Sequence, residues 1–194
     1  MPRRFPPIYP ITDTQLSGES HLDQVKRFIE AGAEVIQLRD KFASSKDLYS
    51  AASEAVKLAD AFGVRILIND RADIALVAGA AGVHVGQDDL PPEAVRLFLG
   101  NDAMIGFSTH SIDQAAAAAK MPVDYIAFGP IFTTSTKTDS DPVVGLEMLR
   151  NVRTVIGDIP LVAIGGINRE NARAVFDAGA DSLAVISDLI CDPA

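Results

Sequence analysis

The sequence predicts an α/β fold, a (β/α)8 TIM barrel with the eighth helix short or missing, and three observations carry that expectation. Short apolar runs alternate with helical patterns along the whole chain. The junction Ala-Gly-Ala recurs before strand-like runs at 31–33, 78–80 and 178–180, a weak internal repeat of a β/α unit. Seven apolar runs end in polar or charged residues: VIQLRDK, ILINDR, VHVGQDD, MIGFSTH, YIAFGPIFTTSTK, LVAIGGI and LAVIS. Polar groups at the same end of successive buried strands point into one volume, as at the C-terminal face of a barrel. A doubly wound open sheet would use only the loops beside one switch point, whereas here almost every strand has a polar end.

The elements follow in order. Residues 8–12 read as the first strand, and 23–31 form an amphipathic helix that Gly32 is placed to end in a left-handed cap. Strand 35–38 precedes a long helix over 46–62, strand 65–68 and a short helix from residue 72. Strand 83–85 leads to a helix that starts at Pro91 and Pro92, since proline is tolerated in a first helical turn. Strands 104–107 and 125–128 bracket an Ala-rich helix around 115–119. A helix from 146, strand 161–164, helix 170–178 and strand 183–186 complete the alternation. After Ser187 too few residues remain for a full last helix.

At 194 residues and 20.6 kDa the chain suits one domain spanning residues 1–194. Aromatic residues are sparse and Trp is absent, so Ala, Val, Ile and Leu must build the core, as in strands covered on both faces. A formal charge of −9 repels nucleic-acid phosphates and argues against such a partner. Cys191 stands alone, which excludes a disulfide framework and fits a reducing cytoplasm. No stretch is apolar for the roughly 18 residues that a membrane span needs.

Several strand ends carry candidate chemistry. Gln37, Arg39 and Lys41 alternate, so in an extended chain they share a face, and two cations facing one volume call for an anion. An ordinary solvated strand end would have the same composition. Asp70 and Asp89 close neighbouring strands and suit magnesium, which takes a few carboxylates and shares the rest of its shell with water and substrate phosphate. Asp88 or Asp89 could instead cap the helix entered at Pro91. The hydroxyl-rich segment containing Thr134 and Thr136 ends in Lys137 and matches phosphate oxygens. A plain Ser/Thr loop, or a Schiff-base lysine at Lys137, is the competing interpretation. Gly165 and Gly166 after the seventh strand, with Ile186 and Ser187 after the eighth, sit where barrels commonly bind phosphate. His84 lies within a strand and reads as a hydrogen-bonded core residue rather than a catalyst.

Together YPITD, QLRDK, NDRADIA, GVHVGQDDLP, GFSTHS, DYIAFGPIFTTSTK, VAIGGI and AVIS, spread over residues 8–187, resemble the thiamine phosphate synthase family. The resemblance implies a (β/α)8 barrel that joins hydroxymethylpyrimidine diphosphate to a thiazole phosphate, giving thiamine phosphate and pyrophosphate. It assigns Gln37, Arg39, Lys41 and Asn69 to the pyrimidine diphosphate, with Ser108 and Lys137 also facing the diphosphate. Asp70 and Asp89 would hold Mg2+. Thr134, Thr136, Gly166, Ile186 and Ser187 would bind the thiazole phosphate. The partners implied are these small molecules; a homodimer is compatible with the sequence.

Two rivals stand beside this expectation. The thiazole tautomerase branch of the same superfamily carries a histidine just after the glycine of the FG-x-x-F loop, where this chain has Pro130. A non-catalytic phospholigand-binding barrel would keep binding residues without turnover. The short stretch after Ser187 departs from the family and puts the Ile186-Ser187 phosphate site in question. A deficient tail would weaken thiazole-phosphate binding more than diphosphate binding.

Overall fold

The computed structural model describes residues 5–134 and 142–190. Its eight parallel strands are β1 (Ile8–Pro10), β2 (Val35–Leu38), β3 (Arg65–Asn69), β4 (Gly82–Val85), β5 (Met104–Thr109), β6 (Tyr125–Phe128), β7 (Leu161–Ile164) and β8 (Ser182–Val185). They are ordered β1-β8-β7-β6-β5-β4-β3-β2. The two ends of this sheet meet where Ile11 bridges Gln37 and the Thr12 N–H donates to the Gln37 carbonyl at 2.9 Å. The sheet is thereby a nearly closed barrel, as the polar strand ends predict.

Helices follow each strand: α1 (Thr14–Ser17) and α2 (His21–Glu30) after β1, then α3 (Ser45–Asp60), α4 (Ala72–Ala78), α5 (Pro92–Leu99), α6 (Ile112–Ala118), α7 (Gly145–Ile156), α8 (Ala172–Asp177) and, after β8, α9 (Ser187–Ile190). The described part of the last helix is four residues long. Ser20, Ser44 and Ser111 start α2, α3 and α6 by accepting the N–H three residues on, a local signal that sets each helix entry. At the three Ala-Gly-Ala junctions the second alanine N–H reaches back to Phe28, Ala75 and Val175 carbonyls, the long bond of a Schellman cap. Gly63, at φ 69°, makes a fourth such junction, where Val64 reaches back to Ala59.

At the N-terminal end of the barrel two arginines repeat one clamp. Arg96 and Arg153 stand in the last turns of α5 and α7. Each donates to the carbonyl four residues on, Gly100 or Gly157, and pairs with an aspartate 28 residues on, Asp124 or Asp181. Each aspartate also accepts a strand N–H, from Ile105 or Leu161, at 2.8 Å. One guanidinium thus satisfies loop carbonyls that no strand or helix can reach. Arg96→Ala removes several charge-assisted bonds at once, and the expected loss is about 2–3 kcal/mol of stability, read as a lower midpoint in urea with an unchanged denaturant slope. An unaltered midpoint would mean that the clamp is decorative.

Candidate active site

A cavity of about 390 Å³ lies at the C-terminal ends of the strands, and Gln37, Arg39, Lys41, Asn69, Asp70, Asp89, Ser108 and Ile186 all line it. The alternation in QLRDK therefore persists past the end of β2. Gln37 is buried and donates from Nε2 to Tyr9 OH at 2.9 Å. The Arg39 guanidinium is held by Asp13 at 2.7 Å, and both side chains are nearly buried, so this pair is fixed rather than free to wander. Lys41 pairs with Asp70. Asp40, between them in sequence, faces away and accepts the N–H groups of Phe42 and Ala43, which turns the chain after the strand.

Asp70 has φ 61°, in the left-handed region that few non-glycine residues adopt, while its N–H donates to the His84 carbonyl at 2.7 Å. Its carboxylate is thereby delivered to the same rim as Asp89. Burial raises the Asp89 carboxyl above the usual range; the Gly86 N–H opposes this, and the neighbouring Asp70 charge raises it further. Asp89 accepts the Gly86 N–H at 2.7 Å and turns away from α5, whose N-cap is Pro91 without a side-chain cap. The capping alternative therefore fails for Asp89. Two neighbouring carboxylates at one rim are a chemically suitable pair for a hard divalent cation that keeps most of its shell as water and phosphate. No cluster of three or more potential ligands exists among the described residues.

A second cavity, about 50 Å³, lies alongside and is lined by Thr134, Gly166, Ile186 and Ser187. Ser108, His110, Ala127, Ile164, Ala184 and Ile186 belong to both cavities, so a group bound in one touches the wall of the other. The loop after β6 is laid on the loop after β7 by Ile131 and Phe132, whose N–H groups donate to the Ile164 and Gly165 carbonyls at 2.9 and 3.0 Å. Gly166 permits this contact, since a Cβ there would stand 2.5 Å from the Thr133 carbonyl oxygen. The GG pair does not itself open the next helix: Asn168 and Asn171 first form a side-chain-stabilised turn, and Asn171 Nδ2 holds the Gly166 carbonyl at 2.9 Å. Thr136 and Lys137 lie outside the described residues.

Sequence reasoning missed Tyr9 and Tyr125 in the floor of the larger cavity, whereas His84 is the hydrogen-bonded core residue that its place in a strand predicts. Tyr9, Tyr125 and His84 are buried inside the barrel and joined by hydrogen bonds of 2.9–3.0 Å. Their signal was present, because buried Tyr and His within strands need polar partners, but those partners are remote in sequence. The Asp13 partner of Arg39 was missed for the same reason. Behind it, His21 bonds Thr12 Oγ1 at 2.8 Å and Asp40 at 3.3 Å, and burial lowers its pKa against the opposing pull of Asp40.

Among known proteins, a family model described as thiamine monophosphate synthase matches residues 8–189. The thiamine-phosphate synthase of Koribacter versatilis is 49% identical, with 98% of this chain and 92% of that protein covered. That of Methanospirillum hungatei is 45% identical, covering 96% and 90%. The solved thiamine phosphate pyrophosphorylase of Pyrococcus furiosus superposes with a TM-score of 0.83 at 36% identity, over 93% of this chain and 85% of the other.

Proposed function

The chain belongs to the thiamine monophosphate synthase family, and from that premise we propose how its two cavities divide the work. It is a transferase that joins hydroxymethylpyrimidine diphosphate to a thiazole phosphate, forming thiamine phosphate and releasing pyrophosphate. The tautomerase and non-catalytic alternatives gain no support from its relatives. The observation that carries the division is the shared wall: a cavity with paired carboxylates and cations abuts a smaller one with a glycine-rich rim.

The larger cavity takes the pyrimidine diphosphate, against Gln37, Arg39, Lys41, Asn69 and Ser108, with Lys137 as a further cation. The smaller takes the thiazole phosphate, against Thr134, Thr136, Gly166, Ile186 and Ser187. Asp70 and Asp89 fit a magnesium ion, which when bound supplies positive charge shared with the diphosphate oxygens. Arg39, steadied by Asp13, keeps its remaining N–H groups aimed at the diphosphate as negative charge grows on the leaving group. The carbon–oxygen bond to the diphosphate breaks first, leaving a pyrimidine-methyl cation. The thiazole nitrogen, held across the shared wall, then closes the new carbon–nitrogen bond. No protein nucleophile takes part; positioning and charge stabilisation do the chemistry. One barrel domain over residues 1–194 does this on small-molecule substrates in the cytoplasm, without nucleic acid. Among the described residues no helix is long and apolar enough to cross a membrane.

Purified protein given both substrates and magnesium is expected to release thiamine phosphate and pyrophosphate in equal amounts. Chelation with EDTA stops turnover and added magnesium restores it. Tight binding of both ligands without product would overturn the catalytic reading, and turnover indifferent to EDTA would overturn the role given to Asp70 and Asp89.

A further inference from the structure

A continuous chain of hydrogen bonds crosses the barrel interior beneath the larger cavity. Gln37 Nε2 meets Tyr9 OH at 2.9 Å, Tyr9 OH meets Tyr125 OH at 3.0 Å, Tyr125 OH meets His84 Nδ1 at 2.9 Å, and His84 Nε2 meets Ser108 Oγ at 2.8 Å. Its two ends, Gln37 on β2 and Ser108 on β5, both line the cavity.

Counting protons gives the chain a direction. Tyr9 accepts from the Gln37 amide, and because a buried hydroxyl proton needs an acceptor and Tyr125 is the other hydroxyl it meets, that proton is assigned to Tyr125. Tyr125 then has its own proton to give to His84 Nδ1. With Nδ1 accepting, the ring proton sits on Nε2 and is donated to Ser108 Oγ. The proton of Ser108 is left for the cavity. Both phenols are fully buried, and burial holds each above the ordinary phenol range, so neither loses the proton that the chain requires.

We infer that this chain sets Ser108 as a hydrogen-bond donor toward the cavity by holding His84 in its Nε2–H tautomer, which makes Tyr9, Tyr125 and His84 positioning residues for the departure of pyrophosphate. The inference rests on the proposed placement of the diphosphate in the larger cavity. An anion needs donors, and a serine whose proton were spent on His84 would present lone pairs to it instead. The opposite direction requires either the Gln37 amide to be turned, so that its oxygen accepts from Tyr9 and every later bond reverses, or the buried Tyr9 proton to go without an acceptor. A chain of this kind in a low-dielectric interior is polarised along its length, so one end is sensitive to the other.

The tautomer is measured directly in the unmodified protein, without substrate, from the 15N shifts of histidine-labelled material, with His84→Gln supplying the assignment. A protonated Nε2 is expected; a protonated Nδ1 overturns the inference even where no other variant folds. Kinetically, Tyr125→Phe is expected to slow single-turnover pyrophosphate release roughly fivefold, the worth of one internal hydrogen bond, while KM for the thiazole phosphate stays unchanged. Adding Tyr125→Phe to Ser108→Ala should cause no further loss, because both changes act through the same hydroxyl. Multiplying losses, or an equal rise in KM for both substrates, would show a structural role alone. Formation of thiamine phosphate by the unmodified protein tests the underlying placement separately, so the two failures are told apart.

Discussion

Asp70→Asn is expected to lower the single-turnover rate of pyrophosphate release by roughly 10²–10³-fold, the scale of losing one preorganised charge contact to a leaving group. The substitution isolates charge from shape. Asn, like Asp, tolerates the left-handed backbone that this position adopts at φ 61°. The backbone N–H to the His84 carbonyl is unaffected, so the fold is kept. Two changes follow at the rim: the Lys41 ammonium loses its anionic partner, and Asp89 is left as the sole carboxylate of the pair. Magnesium affinity should fall, so the magnesium concentration giving half-maximal rate should rise along with the loss of rate. Asp70→Ala would confuse the result by adding backbone strain of roughly 1–2 kcal/mol. An Asn variant with an unchanged rate at limiting magnesium would remove Asp70 from the chemistry.

Gly106→Ala should be a severely damaging single-methyl change inside the barrel. Across β4, β5 and β6 the register aligns His84 with Gly106 and Gly106 with Tyr125. The missing side chain at Gly106 lets the Tyr125 ring lie across the middle strand and reach His84. A Cβ at Gly106 would stand 2.0 Å from Tyr125 Cζ and 2.3 Å from its hydroxyl oxygen. The ring cannot step aside, because Phe5 and Tyr9 pack against it with centroids at 4.5 and 5.8 Å. Overpacking costs about 1–3 kcal/mol, and a buried phenol torn from its partners costs about 1–3 kcal/mol more. The expected total of about 3 kcal/mol or above corresponds to a fall in Tm of roughly 6–12 °C for a domain of this size. Gly100→Ala is the contrast: its φ of 85° disfavours alanine, yet nothing lies within 4 Å of the added atom, whereas Gly106 is not among the positive-φ glycines and meets Tyr125 instead. A Gly106→Ala variant that melts at the temperature of the unmodified protein would show that the Tyr125 contact carries no such cost.

These two positions also mark how far the sequence could be read. Asp70 was legible because a carboxylate at the end of an apolar run has few structural reasons to be there. Gly106 was not, because a glycine within a strand is explained only by what lies on the neighbouring strand. The same division separates Arg39, visible by its alternation with Gln37 and Lys41, from Asp13, which meets it from 26 residues away. Asp89 sat between: its place at the rim was expected, but its choice between a helix cap and the cavity was settled by the Gly86 N–H and the nearby Asp70.

By itself the sequence determined the alternation of strands and helices, the end of the barrel that carries polar groups, and the family to which those groups belong. These follow from local rules: burial on both strand faces, helix caps within a few residues, and a repeat of the β/α unit. Only the tertiary structure decided closure through the Ile11–Gln37 bridge, the shared wall of the two cavities, and the hydrogen-bonded floor from Gln37 to Ser108. Each of those depends on register between strands distant in sequence, where a one-residue slip turns an inward side chain outward, and no local pattern records that register.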